Sequence, residues 1–252
     1  MSGKDPPRLA RGDALFLDFD GTLAEIGPDP DAITLPAGAA ALLDGLAAAL
    51  GEAVAVISGR GLADLAGRVP AGLWRIGAHG LEVAPPGAAP GPPPPPPPEA
   101  VLRPLREAAR RPGVRLEIKG PVVALHYRAA PSAGAACLAA AEAARAAVPD
   151  LVVQPGKMVV EVKPAAASKG RALARMMRMA PFAGRRPVAI GDDATDEDAM
   201  AAAMALGGIG VKVGEGPSRA GFRLADPARL RAWLAAQLAA LRAGPPPAPA
   251  GD

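Results

Sequence analysis

Five short apolar runs, at 14–19, 53–57, 73–77, 187–190 and 209–213, each stop at small or charged residues, and stretches of helical periodicity lie between several of them. Runs of this length without polar alternation fit strands buried on both faces. Between the first two, Leu42, Leu43, Leu46 and Leu50 mark one helical face. The alternation returns after residue 165, with a helix expected over 168–179, a strand over 187–190 and a helix opening near Thr195. Strands alternating with helices predict an α/β fold on a doubly wound, mostly parallel sheet. The segment DPARLRAWLAAQLAALR predicts a last helix, with Asp226 as N-cap and Pro227 at its first position.

Residues 85–98, PPGAAPGPPPPPPP, cannot continue a sheet and predict an extended, solvated spacer. They divide the chain into a core domain, 1–84 with 165–243, and a smaller α+β insert at 99–164. In the insert, helices are expected over 102–111 and 133–147, and antiparallel strands over 114–119, 122–128, 151–154 and 158–162. The tail at 244–252 reads as disordered.

Composition narrows the function classes. A net charge of +3, from 28 Lys and Arg against 25 Asp and Glu, comes without a basic stripe interleaved with aromatics, so no nucleic-acid partner is expected. Cys137 is the single cysteine, which points to a reducing compartment. No apolar run reaches membrane-spanning length, and the first residues lack the apolar core of a signal peptide. The expectation is a cytoplasmic monomer with no membrane partner.

The first run ends in LFLDFDGTL. Residues i and i+2 of a strand project to one side, so Asp18 and Asp20 are expected to point together while Phe19 turns into the core. Two carboxylates so close require a cation or shifted pKa values. The bland alternative is an acidic turn or a calcium loop; an EF-hand is excluded because Leu23 stands at the sixth loop position, where glycine is required. A second acidic cluster, GDDATDED at 191–198, follows another strand. Glu197 and Asp198 suit the first turn of a helix on dipole grounds alone. Asp192, at the strand end, is better placed to join Asp18 and Asp20 around a hard cation, for which three oxygen ligands plus water suit Mg²⁺. Ser58, at a third strand end, fits either a phosphate donor or an ordinary turn. Lys169 opens a helix, where a cation is misplaced unless an anion is near; the alternative is a solvated lysine. All four signals fall at the rim where doubly wound sheets bind ligands.

In this order, DFDGTL, ISGR, KG and GDDATDED resemble the four motifs of the haloacid dehalogenase (HAD) superfamily. GAHGLEV at 77–83 and GKMVVEVKP at 156–164 are similar to segments of its trehalose-6-phosphate phosphatase family, and the insert resembles that family's α+β cap. The resemblance implies a HAD-like core with a mobile cap that hydrolyses trehalose 6-phosphate, a small-molecule sugar phosphate, in trehalose biosynthesis. Asp18 would be the nucleophile and Asp20 the proton carrier. Mg²⁺ would be held by Asp18, the Asp20 carbonyl and Asp192, with Asp196 behind them or as a further ligand. Ser58, Gly59 and Lys169 would hold the phosphoryl group. The implied substrate contacts are Arg60, His79, Gly80 and Glu82 at the rim, and Glu117, Lys119, His126, Arg128, Lys157 and Glu161 on cap strands. Read without the resemblance, the cap residues are a solvated polar sheet face. Alternatives are another sugar-phosphate phosphatase or a phosphosugar mutase of the same superfamily and, from a different function class, a catalytically dead sugar-phosphate sensor.

Overall fold

The computed structural model describes residues 4–244; of the tail expected at 244–252, all but Gly244 lies outside the described residues. The first strands and helices are β1 (Asp13–Leu17), α1 (Ala39–Ala49), β2 (Val54–Ile57), α2 (Leu62–Ala66), β3 (Trp74–Gly77) and β4 (Glu82–Ala84). Next come α3 (Glu99–Ala109), β5 (Arg115–Lys119), β6 (Val122–His126), α4 (Gly134–Ala146), β7 (Leu151–Gly156) and β8 (Val159–Pro164). The chain continues through α5 (Lys169–Met176), β9 (Arg186–Gly191), α6 (Ala194–Ala205), β10 (Ile209–Val213), β11 (Phe222–Leu224) and α7 (Pro227–Ala243).

Seven strands pair in the order β11-β10-β9-β1-β2-β3-β4, parallel except for the antiparallel pair β3–β4. The run of buried residues in β1 is explained by its central place, with helices on both faces. Leu15 and Leu17 pack with Val54, Val56, Leu43 and Leu46 of α1, and Leu230 and Leu234 of α7. Ala14 and Phe16 face the other way, toward Leu173 and Met176 of α5 and Met200 of α6. Phe16 stacks on Phe182 with centroids 5.1 Å apart. Burying such a phenylalanine contributes about 2–3 kcal/mol. Asp226 caps α7 by accepting from the Arg229 N–H, and Pro227 opens that helix. The topology positions a site: from β1 the order runs outward through β2 on one side and β9 on the other, and ligands bind at the carboxyl ends beside such a switch point.

The chain divides into two compact units, one running to Gly91 and resuming at Ser168, the other Pro92–Ala167. The second carries an antiparallel sheet ordered β5-β6-β8-β7, with α3 and α4 packed on its apolar face through Leu105, Cys137, Val123, Leu125 and Val162. The proline-rich stretch contains neither helix nor strand, yet its first half is not a free spacer. The Ala88 carbonyl accepts from Arg75, and Gly87 N–H donates to the Ala71 carbonyl. At the return, Ala165 N–H donates to the Asp150 carbonyl, which carries the second unit past the 164 boundary expected from sequence. No helix among the described residues is long and apolar enough to cross a membrane.

Candidate active site

β1 stops at Leu17, two residues short of the run expected from sequence. The chain leaves the sheet in a tight turn in which the Phe19 carbonyl accepts from the N–H groups of Leu23 and Ala24, and Gly21 sits at φ +80°. A side chain at Gly21 would also run into the Asp192 carboxylate, 2.3 Å from the Cβ position. Strand alternation therefore ends before it can align Asp18 with Asp20. Phe19 is fully buried, as expected, but the two carboxylates take different partners.

Asp18 is buried, and its Oδ1 accepts from Lys169 Nζ at 2.7 Å. Lys169 Nζ also donates to Asp196 Oδ1 at 2.6 Å. The lysine that looked misplaced at a helix start is thus a buried cation between two carboxylates. Gly170 brings it there: a Cβ at that position would lie 2.4 Å from the Asp198 carbonyl oxygen, so only glycine lets α5 approach α6 this closely. At the tip of β9, Asp193 caps α6 by accepting from the N–H groups of Thr195 and Asp196. Asp196 accepts in return from the N–H groups of Asp192 and Asp193. Asp196 is therefore both the partner in a capping box and a wall of the site.

Asp18, Asp192 and Asp196 each offer an oxygen within 4.8 Å of the others. Asp20 does not contribute its carboxylate to this group, which leaves its carbonyl for the role the resemblance implies. Counting Asp193 with these three and Lys212 with Lys169, four carboxylates against two ammonium groups leave an excess of two negative charges when all are ionised. The titration behaviour records that excess. Burial pushes the Asp18 carboxyl up to about 6 against the opposing pull of Lys169. Burial, then Asp196 and Asp193, push Asp192 to about 6. Burial and Asp18 raise Asp196 well above its ordinary value. Burial alone would lower Lys169; Asp18 and Asp196 outweigh it and carry the ammonium above the ordinary lysine range. An all-oxygen set with this charge excess fits a hard divalent cation.

Ser58 lies at the tip of β2, buried, with Oγ accepting from the Arg60 N–H at 3.1 Å and its proton still available to a ligand. Its neighbour Gly59 lies against the His79 ring, which a Cβ would meet at 2.8 Å. The two rim loops are knitted together, since His79 N–H donates to the Ser58 carbonyl and Ala78 N–H to the Arg60 carbonyl. The Gly80 carbonyl accepts from Arg175. Glu82, expected to contact substrate, accepts the Leu62 N–H at 2.8 Å and so caps α2. Arg60, also expected to contact substrate, turns its guanidinium onto Asp20.

In the second unit, register places Glu117, Ala124, Glu161 and Gln154 in one row across the polar sheet face. Glu117 accepts from His126 Nε2 at 2.7 Å and pairs with Lys119 at 3.3 Å. Arg128 and Lys157 are not on strands. β6 ends at His126, and Lys157 with Met158 forms the turn between β7 and β8, Met158 taking φ +61°.

Two residues that sequence reasoning passed over hold Asp192. Buried Thr22 donates to its carboxylate at 3.2 Å, and Lys212 Nζ donates to its carbonyl. A lysine inside the buried strand IGVKV was the readable signal for the second. Thr22 carried none beyond its place in the turn.

With these residues in place, comparison with known proteins decides the family: the model of the trehalose-phosphatase family matches residues 16–228. The chain belongs to the trehalose-phosphatase family. It is 39% identical over 249 residues to the trehalose-6-phosphate phosphatase of Escherichia coli (strain K12), covering 91% of this chain and 88% of the relative. It is 43% identical over 205 residues to a probable trehalose-phosphate phosphatase of Sinorhizobium fredii (strain NBRC 101917 / NGR234), covering 80% and 77%. The solved trehalose-6-phosphate phosphatase of Aspergillus fumigatus aligns with a TM-score of 0.67 at 25% identity, covering 91% of this chain and 93% of that one. A haloacid dehalogenase-like hydrolase from B. subtilis shares the fold, with a TM-score of 0.58 at 16% identity over 90% and 99% of the two chains. This trehalose-phosphatase family member is a phosphoester hydrolase of the HAD fold.

Proposed function

We propose that the chain hydrolyses trehalose 6-phosphate to trehalose and inorganic phosphate, acting as a cytoplasmic monomer. The reading is carried by the Asp18–Lys169 pair, held at 2.7 Å inside a three-carboxylate cluster at the carboxyl end of β1. The second Asp18 oxygen attacks phosphorus, and the electron pair of the breaking P–O bond leaves with the sugar oxygen, which takes a proton from Asp20. Water then attacks the aspartyl phosphate, gives its proton to Asp20 and releases phosphate, restoring the Asp18 carboxylate. Ser58 and Lys169 hold phosphoryl oxygens as charge develops on them. Asp18, Asp192 and the Asp20 carbonyl would hold Mg²⁺, backed by Asp196. The ion, when bound, would supply Lewis-acid polarisation and charge neutralisation. The sugar is selected by the polar face carrying Glu117, Lys119, His126 and Glu161, joined by Lys157, whose mixed donors and acceptors suit hydroxyl groups.

Two measurements test this. Phosphate release is compared for trehalose 6-phosphate, glucose 6-phosphate, mannosyl-3-phosphoglycerate and glucosylglycerol phosphate, with and without Mg²⁺. Turnover of trehalose 6-phosphate should dominate and disappear with chelator; preference for another member of the set rejects the substrate. The second measurement follows protons. Asp18 and Asp192 are raised to about 6, so below that pH protons occupy the oxygens a cation needs. The Mg²⁺ concentration that half-saturates the rise in melting temperature should increase at least about tenfold per pH unit below pH 6 and level off above it. A requirement independent of pH would remove these carboxylates from the metal site.

A further inference from the structure

Arg60, last in the turn after β2, directs its fork inward. Its Nε and Nη2 donate to the two oxygens of Asp20, each at 2.7 Å. Nη2 also donates to the Pro30 carbonyl and Nη1 to Asp64, again at 2.7 Å. A guanidinium carries five N–H donors, so four have partners here. The guanidinium carbon lies 5.5 Å from the Phe19 ring centroid, and the side chain is 11% exposed. Asp64, one turn along α2, accepts from Arg68 Nε at 2.8 Å, and Arg68 donates onward to the carbonyls of Asp31 and Ile33. An arginine poised to seize a phosphate or a sugar presents an open fork; this one is closed on a carboxylate.

We infer that Arg60 is a positioning residue, whose two-pronged hold on Asp20 fixes the carboxylate that carries protons between the sugar oxygen and the attacking water. The inference rests on Asp20 being that proton carrier. Asp20 lies beyond the end of β1, outside the carboxylate cluster, with 31% of its side chain exposed. The Arg60 fork therefore holds the rotamer, and Phe19 beneath and Asp64 beside hold the fork. A carboxylate offers about four lone-pair sites, so each oxygen keeps a site for a proton after accepting from Arg60. Both half-reactions require that oxygen within hydrogen-bond reach of the reacting atom, and a misplacement of about 1 Å costs up to about 100-fold.

The test uses the full chain with Mg²⁺. In Arg60→Ala, kcat for trehalose 6-phosphate should fall by up to about 100-fold with KM nearly unchanged, and Arg60→Lys should recover part of the loss. p-Nitrophenyl phosphate separates the steps, because its leaving group departs without a proton. The first nitrophenolate equivalent should appear at the parent rate and later turnovers should slow, producing a burst. Asp20→Asn should behave alike, and adding Arg60→Ala to it should not change the burst rate. A raised KM with kcat intact would make Arg60 a substrate-binding residue, loss of the burst would assign it to the phosphoryl site, and an unaltered kcat would leave the hold without a role; each overturns the inference. Failure of the underlying reading looks different: Asp20→Asn would itself keep turning over trehalose 6-phosphate. Should Arg60→Ala not fold, Arg60→Lys keeps the charge without the fork and carries the same expectation at smaller size.

Discussion

Asp18→Asn is expected to abolish phosphate release from trehalose 6-phosphate while leaving the protein at least as stable as its parent. The loss should be about 10³-fold or more, since removing a nucleophile removes the covalent route rather than weakening one contact. The stability result follows from charge. Asp18, Asp192, Asp193 and Asp196 outnumber the ammonium groups of Lys169 and Lys212, so the substitution removes one member of the majority sign and leaves the Lys169–Asp196 contact in place. The sign with pH is definite. Asp18 titrates near 6 when folded against 3.8 for the reference carboxyl, so the folded state holds this proton more tightly than the unfolded state. The ionised Asp18 therefore destabilises the fold in full above about pH 6, and the penalty fades as the pH falls from there toward 3.8. Melting temperatures taken in chelator should show the variant above the parent at pH 8 and the two converging by pH 4. A variant that melts well below its parent at pH 8 would mean that the Asp18–Lys169 attraction outweighs the crowding of carboxylates.

The parallel sheet was legible because β1, β2 and β9 have apolar interiors without alternation, and β10 is broken only by Lys212, as burial on both faces requires. Asp18, Ser58, Lys169 and Asp192 were legible for a related reason: each is a polar residue at an element's end, where an apolar pattern leaves it no packing role. What escaped was partner choice. Period-two reasoning paired Asp18 with Asp20, but it holds only while the chain stays in the sheet, and the turn at Gly21 ends it. Arg60 and Glu82 have the residue types of ligand contacts, yet one closes on Asp20 and the other caps α2, distinctions that depend on residues 40 and 20 positions away. Strand ends in the second unit were misjudged at Arg128 and Lys157: β6 stops at His126, and Lys157 shares a two-residue turn with Met158, whose left-handed φ of +61° its residue type does not announce.

Lys169→Met is the counterpart of the Asp18 substitution and should move stability the opposite way. Methionine keeps most of the length and the apolar contact but leaves Asp18 and Asp196 facing each other with no cation, where both side chains are buried. Breaking a buried ion pair from one side costs about 3–5 kcal/mol, and at roughly 2–4 °C per kcal/mol in a chain of this size the melting temperature in chelator should drop by roughly 6–20 °C. Protonation supplies what the lysine no longer does, so the deficit should shrink as the pH is lowered from 8 to 5 and the carboxylates take up protons; for Asp18→Asn it is the gain that shrinks over the same range. A divalent cation should also recover part of the deficit at pH 8, because it restores positive charge between the same oxygens. Activity should nevertheless remain lowered by about 10²–10³-fold at saturating Mg²⁺, since Lys169 is also a donor to the transferring phosphoryl group. If the variant melts with its parent at pH 8 in chelator, charge balance does not hold this cluster together. If Mg²⁺ restores activity as fully as stability, Lys169 is a structural cation and its contact with phosphate is withdrawn.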